Sequence, residues 1–349
     1  MIYGHGDDLY RYKDMVRANF SSNIYQKADL TALKKHLADR LDLIANYPEP
    51  TPLSLEKALA DEAGVSTENV TVTAGATESI YLIAQDNARR LGSGGFTNVI
   101  MQPTFSEYAD ACRLFGSQVV SSQAEAAGRR VNWLCNPNNP TGSVIPAHDL
   151  LRMADGRPDE LFIIDQSYEH YTHEPAVSDA EAARRPNIIL LHSMTKRFCV
   201  PGLRLGYAVA CGETARHLKG LRHPWSVNAL AIEAGLFMIG SKAEVIPGLD
   251  GYLGEAQRLR RCLCGIEGIS VSQTFTNFML ARIKGHSAAQ LKEHLVKRHG
   301  LLIRDASNFD GLDGSYFRVA AQDREADDAL VAGIREFVYT HNNYKSDGK

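Results

Sequence analysis

The stretch HSMTKRFCVPGLRLGY, residues 192–207, sets Lys196 beside Ser193 and Thr195 and eight residues before Arg204. A lysine amine forms a Schiff base with a carbonyl compound. Two hydroxyls and a guanidinium nearby are what a phosphate group needs. Pyridoxal phosphate is the commonest cofactor that joins those two demands. Most lysines, however, are solvated surface charges. The role of Lys196 therefore depends on whether the cofactor's remaining partners occur elsewhere in the chain.

Each partner has a candidate. Gly75-Ala76-Thr77 follows the strand-like VTVT and opens the helical pattern TESIYLIAQ, so its amides can meet a phosphate at a helix start. Asp165 closes the apolar run LFII, a suitable place for a buried carboxylate beneath a pyridine ring, and Tyr168 follows three residues later. Tyr108 in PTFSEY is a candidate stacking ring, and Asn139 in NNPTG a candidate donor to the phenolic oxygen. Taken singly, Gly75 could just end a strand, NNPTG could be only a turn, and Asp165 could cap a helix. Taken together, in this chain order, they predict a pyridoxal-phosphate site around Lys196.

The elements that must position these residues follow one grammar. NVTVTAGATES, NVIMQPTFSEY, VNWLCNPNNPTG, LFIIDQSYEHY and NIILLHSMTK each run from a short apolar strand into a polar loop, often followed by a helical pattern. Such alternation predicts a largely parallel sheet, with ligands beyond the carboxyl ends of its strands. Near the end of the chain, FMLARI, LLIRD and YFRVA surround a helix SAAQLKEHLVKRHG. There Ser287 and Gln290 form a capping box and Gly300 a stop. WSVNALAIEAGLFMIG reads as an apolar helix leading out of the first block. The predicted division is an N-terminal arm over 1–45, a large domain over 46–235 and a small domain over 236–349.

Bulk properties exclude several classes. The 349 residues are 44% hydrophobic and 23% charged, ordinary for a folded chain, and the net charge of −3 gives no basic field for nucleic acid. Six cysteines without a framework spacing, Cys262 and Cys264 among them, predict reduced thiols and a cytoplasmic protein. No apolar run is long enough to span a membrane, and the first residues lack a signal-peptide core. His170 and His173 lack a third ligand at suitable spacing, so no metal is expected. Gly92, Gly94 and Gly95 read as a turn, because no Lys-Ser/Thr follows them.

The set GAT, PTFSEY, NPNNPTG, DQSY and SMTK…GLRLG resembles the fold-type I pyridoxal-phosphate enzymes of aminotransferase class I/II, over nearly the whole chain. The resemblance implies an α/β fold: a mostly parallel seven-stranded sheet between helices, with a smaller α+β C-terminal domain. It implies Lys196 as the Schiff-base lysine and Asp165 as partner of the pyridinium nitrogen. Asn139 and Tyr168 would bind the phenolic oxygen, Tyr108 would stack on the ring, and Thr77, Ser193, Thr195, Arg204 and the Ala76 amide would bind phosphate. Members are homodimers with shared sites, and Tyr47 in NYPEP matches the tyrosine that reaches the partner subunit's cofactor.

The reaction is a separate question, since one cofactor serves several. HGDD, NFSSNI, SMTKRFCVPGLRLGY and LLIRDASNFDGLDGSYFRVA look most like the threonine-phosphate decarboxylases of cobalamin biosynthesis. That likeness implies a small phosphorylated amino-acid substrate and the product (R)-1-amino-2-propanol O-2-phosphate. Arg318 would hold the α-carboxylate, while Arg304, His5 and Asn23 approach the phosphate or carboxylate. Histidinol-phosphate aminotransferases share the core motifs and are the alternative, although Gln166 and Ser167 stand where they commonly carry Glu-Ala. A non-catalytic cofactor-binding regulator is a third class; it usually carries a DNA-binding domain, which is not expected here.

Overall fold

The computed structural model describes residues 7–92, 95–242, 244–246 and 248–346. Seven short segments, Val70–Thr73, Phe96–Ile100, Val119–Val120, Arg129–Cys135, Leu161–Asp165, Ile188–His192 and Gly206–Ala210, form strands β1 to β7 of one sheet. Their spatial order is β1-β7-β6-β5-β4-β2-β3. β7 runs antiparallel to both β1 and β6, and the other pairs are parallel. Helices cover both faces, which is why the strands read as continuous apolar runs rather than alternating ones.

The period of two along a strand sorts its side chains between those faces. In β6, Ile188 and Leu190 join one core cluster while Ile189 and Leu191 join the other. The first cluster takes Leu55 and Leu59 from the helix Leu53–Ala63, and the second takes Ile80 and Ile83 from the helix Ala76–Leu91. β3 and β7 escaped notice in the sequence. The first is two residues long, and the second hides behind the glycine-flanked GLRLG motif.

A second sheet has strands β8 (Ile269–Val271), β9 (Phe278–Ile283), β10 (Arg304–Asp305) and β11 (Tyr316–Ala320), in the antiparallel order β10-β11-β9-β8. Helices Leu249–Cys264, Ala288–His299 and Arg324–Ser346 pack over it around a third core. The capping box forms as expected: Ser287 Oγ accepts from Gln290 N at 3.2 Å, and Gln290 Oε1 accepts from Ser287 N at 3.1 Å. Gly300 ends the helix in the left-handed region at φ 64°. The predicted LLIRD strand splits in two. Leu301 and Leu302 pair in parallel with Ala18 and Asn19 of the N-terminal arm, whereas Arg304 and Asp305 join β11.

The helix Ala229–Gly240 runs through the division expected at 235/236. Its Ala231, Ile232, Ala234 and Met238 all bury in the large-sheet core. All six cysteines are free thiols. Among the described residues no helix is long and apolar enough to cross a membrane.

Candidate active site

Along one edge of the large sheet β1, β5 and β6 end and the antiparallel β7 begins: Thr73 lies opposite Gly206, and His192 opposite Tyr207. A cavity of about 680 Å³ opens there, a volume suited to a cofactor with its substrate. Ala76, Thr77, Tyr108, Asn139, Asp165, Tyr168, Ser193, Thr195, Lys196, Arg204 and Arg318 line it.

The turn from β1 into the helix Ala76–Leu91 depends on Gly75. Its φ of 86° favours glycine, and a Cβ added there would come 2.7 Å from Arg204 Nη2. Gly206 is equally constrained: a Cβ there would come 2.5 Å from the Ala76 amide nitrogen. No side chain caps the helix, so its first N–H groups and its positive dipole end meet the cavity wall formed by Ala76 and Thr77. Arg204 itself sits in the left-handed region at φ 54°.

Lys196 lies on the one-turn helix Met194–Arg197 that follows β6. Below it, the Tyr171 hydroxyl donates to the Lys196 carbonyl at 2.7 Å. Its Nζ donates to the Ser22 carbonyl at 2.8 Å and lies 5.8 Å from the Tyr168 ring centroid. Burial, and then the charge of Arg318, pull its pKa down to about 8, with Asp7 opposing. Behind this turn His192 is held between Glu169 (2.7 Å) and Asp179 (2.8 Å) and stacks on Tyr207. Against the burial that opposes its charge, those two carboxylates hold the imidazolium pKa well above its usual value.

Asp165 is only 4% exposed. Its Oδ2 accepts from the Tyr108 hydroxyl at 2.7 Å, and Oδ1 from the Ser167 amide at 2.9 Å. The Tyr108 ring stacks on Trp133 at 5.5 Å, an anchorage not anticipated from PTFSEY. Tyr168 packs edge-on against Phe278, and burial pushes its phenol up to about 12 while the charge of Arg318 opposes the rise.

Arg318, 3% exposed, projects from β11 into the same cavity. It donates to Asn139 Oδ1 and to the Ser21 carbonyl, both neutral acceptors, and makes no ion pair among the described residues. Burial pulls its pKa down to about 10, and Arg304 adds to the fall. Arg304 stands directly opposite Arg318 in the β10–β11 register but does not line the cavity; its Nη2 donates to Asn308 Oδ1 at 2.6 Å. Asn23 is fully buried at φ 57°, beside the Tyr168 phenol. Tyr47 is 85% exposed, packed against Trp225 and away from the cavity. His5 lies outside the described residues.

Asp7, Ser21, Ser22, Cys135 and Glu107 also line the cavity and were not singled out in the sequence. One signal was available for the arm. Asn19, Ser21, Ser22 and Asn23 form a run of small polar residues, and all are buried. Such a run is burdensome in a core unless it faces a polar site.

The sequence profile of the family Aminotransferase class I and II matches residues 17–334. The threonine-phosphate decarboxylase of Salmonella typhimurium is 31% identical over 341 residues, covering 91% of this chain and 90% of its own. A histidinol-phosphate aminotransferase of Caldanaerobacter subterraneus is 30% identical over 308 residues, covering 84% of each. Among solved structures, the L-threonine-O-3-phosphate decarboxylase of Porphyromonas gingivalis superposes with a TM-score of 0.87 at 34% identity, covering 92% of this chain and 99% of that one. The chain therefore belongs to aminotransferase class I and II, a family of pyridoxal-phosphate-dependent enzymes of fold type I.

Proposed function

We propose that this member of the aminotransferase class I and II family decarboxylates O-phospho-L-threonine to (R)-1-amino-2-propanol O-2-phosphate, a cobalamin precursor. Its residues fit the cofactor. Lacking a Cβ, Gly75 lets the Arg204 guanidinium close up to a helix start, an arrangement suited to phosphate beside Thr77, Ser193 and Thr195. Asp165 supplies a buried carboxylate for the pyridinium nitrogen, with Tyr108 for the ring and Asn139 and Tyr168 for the phenolic oxygen. Lys196 is the covalent anchor, and Tyr47 serves the partner subunit's cofactor in a homodimer.

When bound, the cofactor supplies an electron sink for the pair released by a bond broken at the substrate's α-carbon. The protein selects the bond by where it clamps the substrate's charged groups. In this reading Arg318 holds the α-carboxylate, and Arg304, Asn23 and His5 are assigned to the substrate's phosphate or carboxylate. The carbon–carbon bond breaks, carbon dioxide leaves, and one proton returns to the α-carbon from the Lys196 amine. With a pKa near 8, that amine both holds and releases a proton at neutral pH.

The buried guanidinium of Arg318 carries this reading. A cation bonded only to neutral acceptors in a cavity calls for an anionic ligand. With Arg304 opposite, it suits a substrate bearing both carboxylate and phosphate. The similarity to the histidinol-phosphate aminotransferase of Caldanaerobacter supports a second reading, amino transfer to 2-oxoglutarate. Incubation of the loaded enzyme with O-phospho-L-threonine should release carbon dioxide without a 2-oxo acid. Glutamate formation from histidinol phosphate and 2-oxoglutarate, with no carbon dioxide released, would replace the first reading by the second.

A further inference from the structure

Away from the cavity, the helices Ala288–His299 and Arg324–Ser346 pack against each other in the small domain. His294 and His299 on the first face Glu336 on the second. His299 Nε2 lies 3.3 Å from one Glu336 carboxylate oxygen, and His294 Nε2 lies 3.6 Å from the other. One ligand atom from each residue falls within 4.8 Å of the other two. Both Nε2 atoms are buried, and neither forms a hydrogen bond among the described residues, despite the short approach to the carboxylate.

We propose that His294, His299 and Glu336 bind a divalent cation of the zinc class. A tetrahedral site with ligand bonds of about 2.0–2.1 Å has edges of about 3.3 Å, close to the two histidine–carboxylate spacings of 3.3 and 3.6 Å. Two imidazoles and one carboxylate favour zinc over magnesium or calcium, which take oxygen ligands. The remaining coordination position falls to water or to the second carboxylate oxygen.

The surroundings hold the rings in this pose. A Cβ on Gly333, one turn before Glu336, would come 3.1 Å from His299 Cδ2, so the glycine leaves the imidazole its room. The His294 ring packs edge-on against Phe337 at 5.2 Å. None of the three ligands lines the cofactor cavity. The bound ion would clasp the C-terminal helix to its neighbour, a role separate from the reaction. Histidine pairs sought within one short stretch of sequence miss this site, because its third ligand lies 37 positions beyond the nearer histidine (299 to 336).

The test uses untagged, chelator-treated holoenzyme titrated with Zn²⁺ by calorimetry, with Co²⁺ as optical probe. One ion per chain should bind with a Kd of about 10 µM or lower, and His299→Gln and Glu336→Gln should each weaken it at least about 10-fold. Gly333→Ala should weaken it too, while His173→Gln should leave it unchanged. Zn²⁺ should raise the melting temperature of the wild type and not of Glu336→Gln. Bound Co²⁺ should show d–d bands without sulfur charge transfer. Absence of a saturable site, wild-type affinity in His299→Gln and Glu336→Gln, or a thiolate charge-transfer band would overturn the proposal.

Discussion

At the scale of single residues, the site is built by lowering the cost of neutrality at Lys196 and raising the cost of isolation at Arg318. The lysine captures a carbonyl group only as the free amine. With its pKa near 8, the rate of cofactor capture by the apoprotein should rise with pH and reach half its plateau near pH 8. Stopped-flow absorbance measures this, and Arg318→Met should move the midpoint upward by removing a neighbouring cation. The sign carries over to stability. The folded pKa lies below the ordinary 10.5, so protonation penalises the folded apoprotein, and this penalty fades as pH rises from about 8 to 10.5. In the sequence Asp165 stood out as the end of an apolar run, and Lys196 as part of the turn that follows another. The carbonyls of Ser21 and Ser22 were not legible there, since a backbone acceptor has no side-chain signature and Ser22 meets a lysine 174 positions away.

Among the elements, the strand–turn–helix around Gly75 is tightly constrained. Gly75→Ala adds an unfavourable positive φ, about 1–3 kcal/mol, and drives a methyl into Arg204. The expected outcome is weaker cofactor binding together with a lower urea midpoint, whereas Gly64→Ala, also at positive φ but with open space around it, should lose stability alone. Punctuation of this kind reads well from sequence. The capping box at Ser287 and the stop at Gly300 were both recognisable, the first because its side chains make the bonds and the second because glycine takes up a left-handed turn without strain. The Glu169–His192–Asp179 trio was not, because its three members join a turn, a strand and a helix that only the packed sheet brings together.

For the molecule as a whole, the homodimer proposed above has a candidate contact surface. Leu41, Ile44, Tyr47 and Leu53 lie exposed within one short stretch, with Trp225 against Tyr47, and such clusters mark contact surfaces. On the proposed homodimer, Ile44→Asp should shift the sedimenting species from two chains to one and lower cofactor affinity in parallel, since Tyr47 lies three residues on. The large sheet's class and the site's edge were predictable from the alternation of strands and helices. The route of the N-terminal arm was not, because parallel pairing of Ala18 with Leu301 is a contact that no local pattern encodes.

That arm has a consequence for biosynthesis. The Phe20 carbonyl accepts from the Ala320 amide, the Phe20 amide donates to the Leu302 carbonyl, and the next two residues reach Arg318 and Lys196. The segment is therefore translated about 300 residues before the strands that seat it, Leu301–Leu302 and Tyr316–Ala320. At about 5–20 residues per second, it waits roughly 15–60 s for residues 301–320 to be translated. The large sheet can assemble during that interval, so the nascent chain passes through a stage with a finished cofactor floor and no ceiling.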